Sequence, residues 1–187
     1  MIKMNEDYVT YEEKLEMVDM HNKYLHDLDN SLKDEKYIEA CSLCYSIFEQ
    51  RVKRLMIKYL NGCCKEKKKK GPEAGISCRL SCISYLININ YNNMGVMDSK
   101  VFNKISKWCK KRNSLTHDLV KLNRYKKYEK EYKELALDGK PLVDKIYIEC
   151  EKYRKIWKKK GKNNKKFINE KCKCETRCLY EKADNFK

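Results

Sequence analysis

Glycine and proline are nearly missing, at 6 and 2 in 187 residues. A β-sandwich or barrel needs a turn about every 8–12 residues, usually built with Gly, Pro, Asn or Asp. Nucleotide-binding α/β folds need a Gly-rich phosphate loop, and neither GxGxxG nor GxxxxGK[ST] occurs. No run approaches the roughly 18 apolar residues of a membrane span. Met1 to Asp7 offers no apolar stretch for a secretion signal. These absences, with apolar residues mostly at helical spacing, predict an all-α protein of the cytoplasm with no membrane association. Cysteine is abundant, at an odd 11. In the expected compartment the thiols stay reduced and behave as small core hydrophobes.

Charge is the other extreme. The formal net charge is +16, and charged residues make up 37% of the chain, against about 25% in an average globular protein. Hydrophobic residues still reach 42%, enough for a core that a disordered chain would lack. Of the 43 basic residues only 7 are arginine. Lysine, asparagine, isoleucine and tyrosine together suggest an A/T-rich genome as much as selection for anion binding. The charge permits attraction to nucleic acid or an acidic surface.

Periodicity divides the chain into helices. The first is expected from about Thr10 to Leu28, with Tyr11, Leu15, Val18 and Leu25 on one face. The second runs from about Asp34 to Leu60, with Cys41, Cys44, Tyr45, Phe48, Val52, Leu55, Met56 and Tyr59 as its stripe, and Asn61-Gly62 stops it. Cys41-x-x-Cys44 lies within that stripe and reads as core, not redox. Lys65 and Lys67–Lys70, then Gly71-Pro72, form a solvated loop or an RNA-backbone contact. Gly75–Tyr91 reads as a buried helix, with a strand as the alternative. Asp98 or Ser99 caps the next helix, whose stripe is Val101, Ile105, Trp108, Arg112, Leu115 and Leu119 beside a second, Phe102, Cys109, Asn113, His117 and Val120. The charged stretch Asn123–Glu134 continues that helix or turns away. Gly139-Lys140-Pro141 punctuates the chain, and a last helix follows from about Leu142 to Lys158. The expected architecture is an up-and-down bundle of four to five core helices within residues 1–160, followed by a basic Cys-containing tail, 161–187.

Arg112, Asn113 and His117 occupy slots that the pattern would give to apolar residues. Polar groups facing a core cost free energy unless paired. Asn113 and His117 are i and i+4 and share a helix face, and the long Arg112 side chain can swing toward it. The trio offers a cation, an amide and a group that titrates near neutrality. Those are the parts for cleaving RNA without a metal. A base takes the ribose 2′-OH proton, and a fixed cation stabilises charge growing on the phosphate oxygens. By chance alone an Arg five residues before a His has an expected count of about 0.1 here. The opposing reading is a surface His and a salt-bridged Arg late in an ordinary helix.

Trp108-Cys109-Lys110-Lys111-Arg112-Asn113-Ser114-Leu115-Thr116-His117 resembles the signature of the HEPN superfamily: Arg, a polar residue, about three others, then His, late in a core helix. Ala40–Cys44 with Phe48-Glu49-Gln50-Arg51 is similar to that family's early core helix, and Leu135–Leu142 is compatible with the lead into its last one. The resemblance covers about residues 10 to 160, and only the Arg-to-His motif is specific. It implies an HEPN-like helical bundle that homodimerises, bringing two motifs to one composite active site. It implies a metal-independent endoribonuclease that leaves a 2′,3′-cyclic phosphate and a 5′-hydroxyl, in toxin–antitoxin systems, abortive infection or other anti-phage defence. By position, His117 is the acid/base residue, Arg112 the phosphate-binding cation and Asn113 the supporting polar residue. No cofactor is implied; an antitoxin or other regulatory partner is. In the branch paired with small nucleotidyltransferase antitoxins a modified Tyr stands two residues after the His; here that position is Leu119, so that mode of control is not expected. Other relatives bind RNA or nucleotides without cleaving, so a non-catalytic RNA-binding or protein-interaction module is the alternative.

The expected RNA-binding residues flank the motif: Lys110, Lys111, Arg124, Tyr125, Lys126 and Lys127. Tyr125, Tyr128 and Tyr132, spaced among lysines, could stack on bases, or form a solvated helix with Glu/Lys pairs. Cys172, Cys174 and Cys178 lack a fourth ligand for a structural zinc site, so free thiols in a tail are expected and no metal site is assigned. His21 and His26 read as surface groups.

Overall fold

The computed structural model describes residues 11–59, 76–119 and 125–159. All are helix or short connection, with no strand among the described residues. The helices are α1 (Tyr11–Lys33), α2 (Tyr37–Tyr59), α3 (Ile76–Asn88), α4 (Ser99–Leu119) and α5 (Tyr125–Lys159), with a short 3-10 helix, Tyr91–Val96, between α3 and α4. The all-α expectation agrees with this. The Lys65–Lys70 loop and the 161–187 tail, with Cys172, Cys174 and Cys178, lie outside the described residues.

α1 and α2 form a hairpin across three residues. Glu35 takes the left-handed conformation (φ 59°), and Asp34 and Lys36 N–H donate back to Asn30 O and Ser31 O, both at 2.8 Å. These bonds satisfy carbonyls that a helix end would leave orphaned. α1 thus runs one turn past the expected end near Leu28. A second left-handed residue, Asn90 (φ 52°), accepts Gly95 N–H on Oδ1 at 2.9 Å. A Cβ at Gly95 would stand 2.6 Å from that oxygen, so a larger residue there would push the Asn90 side chain out of this bond. Of the segment expected from Gly75 to Tyr91, Ile76–Asn88 is α-helix and not a strand.

α4 begins as expected at an Asp98 cap. Asp98 Oδ1 accepts Lys100 N–H at 2.8 Å, the usual N-cap bond. Glu149 of α5 reinforces it: its buried carboxylate accepts Asp98 N–H at 2.8 Å and pairs with Lys152 Nζ at 2.7 Å. A carboxylate at a helix N-terminus also meets the positive end of the helix dipole.

The main departure from the sequence reading is α5. It is one helix of 35 residues passing through Gly139 and Pro141, where a break and a fresh start at Leu142 were expected. Gly139 is buried where α5 meets α2 and α4. A Cβ there would lie 3.0 Å from Cys44 Sγ and 3.0 Å from Trp108 Cζ2. The glycine therefore makes room for a close helix crossing and is not a stop. Pro141 is exposed, and the carbonyl its ring displaces, four residues back, belongs to Leu137, also exposed at 53%. Water can satisfy that carbonyl, so the proline is tolerated inside a helix.

The core fills the space among α2, α3, α4 and α5, with Phe48, Ile83, Phe102, Ile105, Val143, Ile146 and Tyr153 fully enclosed. Trp108 is its largest anchor. Its indole N–H donates to Leu135 O at 2.8 Å, and its ring meets Phe48 edge-on at 5.3 Å, a favoured aromatic geometry. Tyr128 and Tyr132 are buried too. They do not face outward to stack on bases; their spacing belongs to the inward stripe of α5.

Two substitutions test this packing by urea unfolding. Trp108→Ala should cost about 3–5 kcal/mol. Gly139→Val should cost about 1–3 kcal/mol through overpacking, against the helix propensity it gains. A Gly139→Val protein as stable as wild type would contradict the close crossing.

Candidate functional site

The packing of Trp108 decides where the motif sits. Arg112 is one helical turn beyond Trp108 on the same side of α4. Its guanidinium lies over the Tyr45 ring of α2, 4.8 Å from the centroid, a cation–π contact. Arg112 Nη1 donates to Asn113 Oδ1 at 3.4 Å. The cation is half-buried and held by a ring on one side and an amide on the other. Among the described residues no carboxylate lies within ion-pair distance of it, so the salt-bridged alternative is not what the structure contains. Burial, then Glu49 and Cys109, raise the Tyr45 pKa, so the ring stays a neutral phenol beside the guanidinium.

The last turn of α4 is tied down by Thr116. Its hydroxyl donates to Arg112 O at 2.9 Å, a local back-bond available to Thr in a helix. It also lies 3.3 Å from Tyr132 Oη of α5. Cys41 Sγ donates weakly to Tyr132 O at 3.7 Å, linking α2 to the same turn of α5. Tyr45, Thr116 and Tyr132 are positioning residues that the motif did not reveal. Tyr45 belongs to the apolar stripe expected of α2, while Thr116 and Tyr132 belong to no stripe expected from the sequence.

His117 corrects one expectation. The pattern put it on a buried-facing stripe, but the residue is exposed. The stripe Phe102, Cys109, Asn113, His117 goes from fully buried through half-buried to exposed as α4 emerges from the core. No described residue hydrogen-bonds to His117. It shares a face with Asn113, four residues before it, and an exposed imidazole is open to a substrate. Lys110 and Lys111 are exposed on the same helix. Arg124 lies outside the described residues, as do the side chains of Tyr125, Lys126 and Lys127.

The thiols nearby are inert. Cys41, Cys44 and Cys109 are free and buried, and burial first of all pushes each up to about 12. They remain protonated at neutral pH and act as small apolar groups, which accords with a core role for Cys41-x-x-Cys44.

A second polar cluster was missed. His21 is half-buried and not a simple surface group. Its Nε2 is within hydrogen-bonding distance of Arg51 Nη2, and its Nδ1 is 2.6 Å from Tyr147 Oη. Arg51 Nη2 also donates to Tyr147 Oη at 2.7 Å, and its guanidinium covers the Tyr147 ring at 3.9 Å. Burial, followed by the charges of Arg51 and Arg54, lowers His21 to about 4. Burial also lowers Arg51 to about 10. No motif spacing announces this cluster, because its members come from α1, α2 and α5. His26, by contrast, is exposed as expected.

His21 gives the fold a pH dependence of definite sign. The unfolded chain takes up a proton near pH 6.5, while the folded chain resists protonation down to about 4. The His21 contribution is therefore intact above pH 6.5 and is lost as pH falls toward 4. Urea midpoints should drop more steeply across that interval for wild type than for His21→Asn. Parallel slopes would contradict the placement of His21.

Among the described residues no helix is long and apolar enough to cross a membrane. Compared with family models, curated proteins and solved structures, the chain finds no match, so the chemistry of the site rests on its own residues.

Proposed function

We propose that the chain is a metal-independent endoribonuclease of HEPN type that acts as a cytoplasmic homodimer in a toxin–antitoxin, abortive-infection or anti-phage defence system. The observation that supports this best is the end of α4. Arg112 is held against Tyr45 by Asn113 with no carboxylate partner among the described residues, and an exposed His117 follows five residues on. A guanidinium without a carboxylate partner at the rim of a core is a costly arrangement that a phosphate would relieve.

In this reading the neutral His117 imidazole removes the 2′-OH proton. The 2′-oxygen attacks the adjacent phosphorus, and Arg112 stabilises the charge that grows on the phosphoryl oxygens. The bond to the 5′-oxygen breaks, and that oxygen takes its proton from a protonated imidazole. Two copies of the motif at one two-fold interface supply both the base and the acid. The products are a 2′,3′-cyclic phosphate and a 5′-hydroxyl, with no water consumed. Lys110, Lys111, Arg124, Lys126 and Lys127 supply the salt-sensitive attraction to RNA, with Tyr125 beside them. An antitoxin or other regulator would keep such an activity in check.

One observation favours the non-catalytic alternative. His117 has no hydrogen-bond partner among the described residues to orient it, and an RNA-binding module would need none.

Incubation of purified protein with total RNA in EDTA separates the two readings. Wild type should cleave. His117→Ala should lose about 10²–10⁴ of the rate, and Arg112→Ala about 10²–10³, while both keep the wild-type melting profile and sediment as dimers. Cleavage equal in wild type and His117→Ala, or cleavage by neither, rejects the endoribonuclease. Salt-sensitive RNA binding without cleavage, unchanged in His117→Ala, establishes the binding module instead.

A further inference from the structure

The His21–Arg51–Tyr147 cluster borders a cleft of about 720 Å³ between α1, α2 and α5, a volume typical of small-ligand sites at about 300–1,000 Å³. Five of its lining side chains are cationic; Lys152 is paired with Glu149 and Arg154 with Glu151, so the positive field comes from Arg51, Arg54 and Lys155. Leu55 and Ile148 add an apolar wall. Tyr45 and Arg51 are six residues apart on α2, roughly 240° around the helix and about 9 Å along it. The shorter way round is about 120°, so the cleft faces a different side of α2 from the Arg112–Tyr45 contact.

The hydrogen bonds here determine which protons are left over. A guanidinium has only donors, so His21 Nε2 must accept from Arg51. The ring proton then sits on Nδ1 and is donated to Tyr147 Oη. Tyr147 Oη already accepts from Arg51 Nη2, so it accepts twice, and its own O–H is left to donate elsewhere. The tautomer follows from the network in this way, and the low His21 pKa agrees with a neutral ring. Arg51 has no carboxylate within ion-pair distance among the described residues. Its buried Nε–H has no hydrogen-bond partner. That atom has no accessible surface of its own, but the partly buried, uncompensated guanidinium that carries it lines the cleft, and such a cation is a place for an anion.

We propose that this cleft binds a phosphate monoester, held by the guanidiniums of Arg51 and Arg54 and by the Tyr147 hydroxyl. The chemistry matches part by part. A monoester dianion accepts several charge-assisted hydrogen bonds, needs the positive field that the cleft supplies, and can take the free Tyr147 proton. The ester substituent lies along Leu55 and Ile148. Two sources carry this group: a free metabolite, and the 5′-phosphorylated end of an RNA. The neutral His21 aims Tyr147 and adds no charge of its own.

Binding is measured by calorimetry on the full chain at neutral pH and constant ionic strength, with four probes: inorganic phosphate, ribose 5-phosphate, and a short RNA with and without a 5′-phosphate. Saturable binding is expected for at least one monoester. Arg51→Gln and Tyr147→Phe should each weaken it about tenfold or more, while Lys100→Gln, on exposed α4 surface, leaves it unchanged. Tyr147→Phe keeps the ring under Arg51, so it tests the hydroxyl even where Arg51→Gln fails to fold. Binding of the small esters identifies a free metabolite as the source. Binding confined to the 5′-phosphorylated RNA identifies an RNA end. The proposal is overturned if no probe binds saturably, if both RNAs bind equally and the small esters not at all, or if binding survives both Arg51→Gln and Tyr147→Phe. The two RNA titrations use the His117→Ala chain, whose substitution lies outside the cleft, so RNA cleavage enters none of these readouts and the outcome is separate from that of the endoribonuclease assay.

Discussion

The Trp108 indole lies under Gly139, and the arrangement of α2, α4 and α5 depends on that contact. The side chain crosses from α4 to α5, donates to Leu135 O and meets Phe48 of α2 edge-on. A Cβ on Gly139 would lie 3.0 Å from both the indole and the Cys44 sulfur, so any larger residue there would force one of them to shift. Because α5 passes through this point unbroken, one helix serves three places. Tyr132 braces the end of α4 through Thr116, Glu149 caps its start, and Tyr147 orients His21 and Arg51 on another face of α2.

The two arginine clusters follow one physical plan. Arg112 lies over Tyr45 and Arg51 over Tyr147. Neither guanidinium has a carboxylate within ion-pair distance among the described residues. A tyrosine ring fixes an arginine in place without neutralising it, whereas an ion pair would hold the side chain and cancel its charge. The surrounding buried thiols carry no charge either, since burial keeps them protonated. The chain is strongly basic, with a net charge of +16. That total says little by itself; the two partly buried arginines are where it becomes specific.

The fold class was legible because turn residues are scarce and apolar residues recur at helical spacing. Asp98 was readable as a cap because its side chain acts locally. Gly139-Lys140-Pro141 was not readable as helix interior. The local preference of both residues is to end a helix, and only the approach of Trp108 and Cys44, distant in sequence, explains the glycine. Arg112 and Asn113 stood out as polar interruptions of an apolar face, and both are half-buried. His117 stood out in the same way and is exposed, because periodicity records the face of a helix but not where the helix leaves the core. Tyr128 and Tyr132 show the opposite error, since lysines between them masked an inward stripe. His21, Arg51 and Tyr147 are separated by 30 and 96 residues, and nothing local marks their convergence.

The chemistry assigned to Arg112 and His117 makes a demand on the ends of the cleaved RNA. Attack by the 2′-oxygen must leave a cyclic phosphate on one fragment and a hydroxyl on the other, and it needs no metal-activated water. Mass spectrometry of the fragments formed from a defined RNA in EDTA measures this directly. The account predicts 2′,3′-cyclic phosphate and 5′-hydroxyl ends, absent from His117→Ala reactions. Fragments bearing 5′-phosphate and 3′-hydroxyl ends, or an RNA left intact by the wild-type protein, would contradict it.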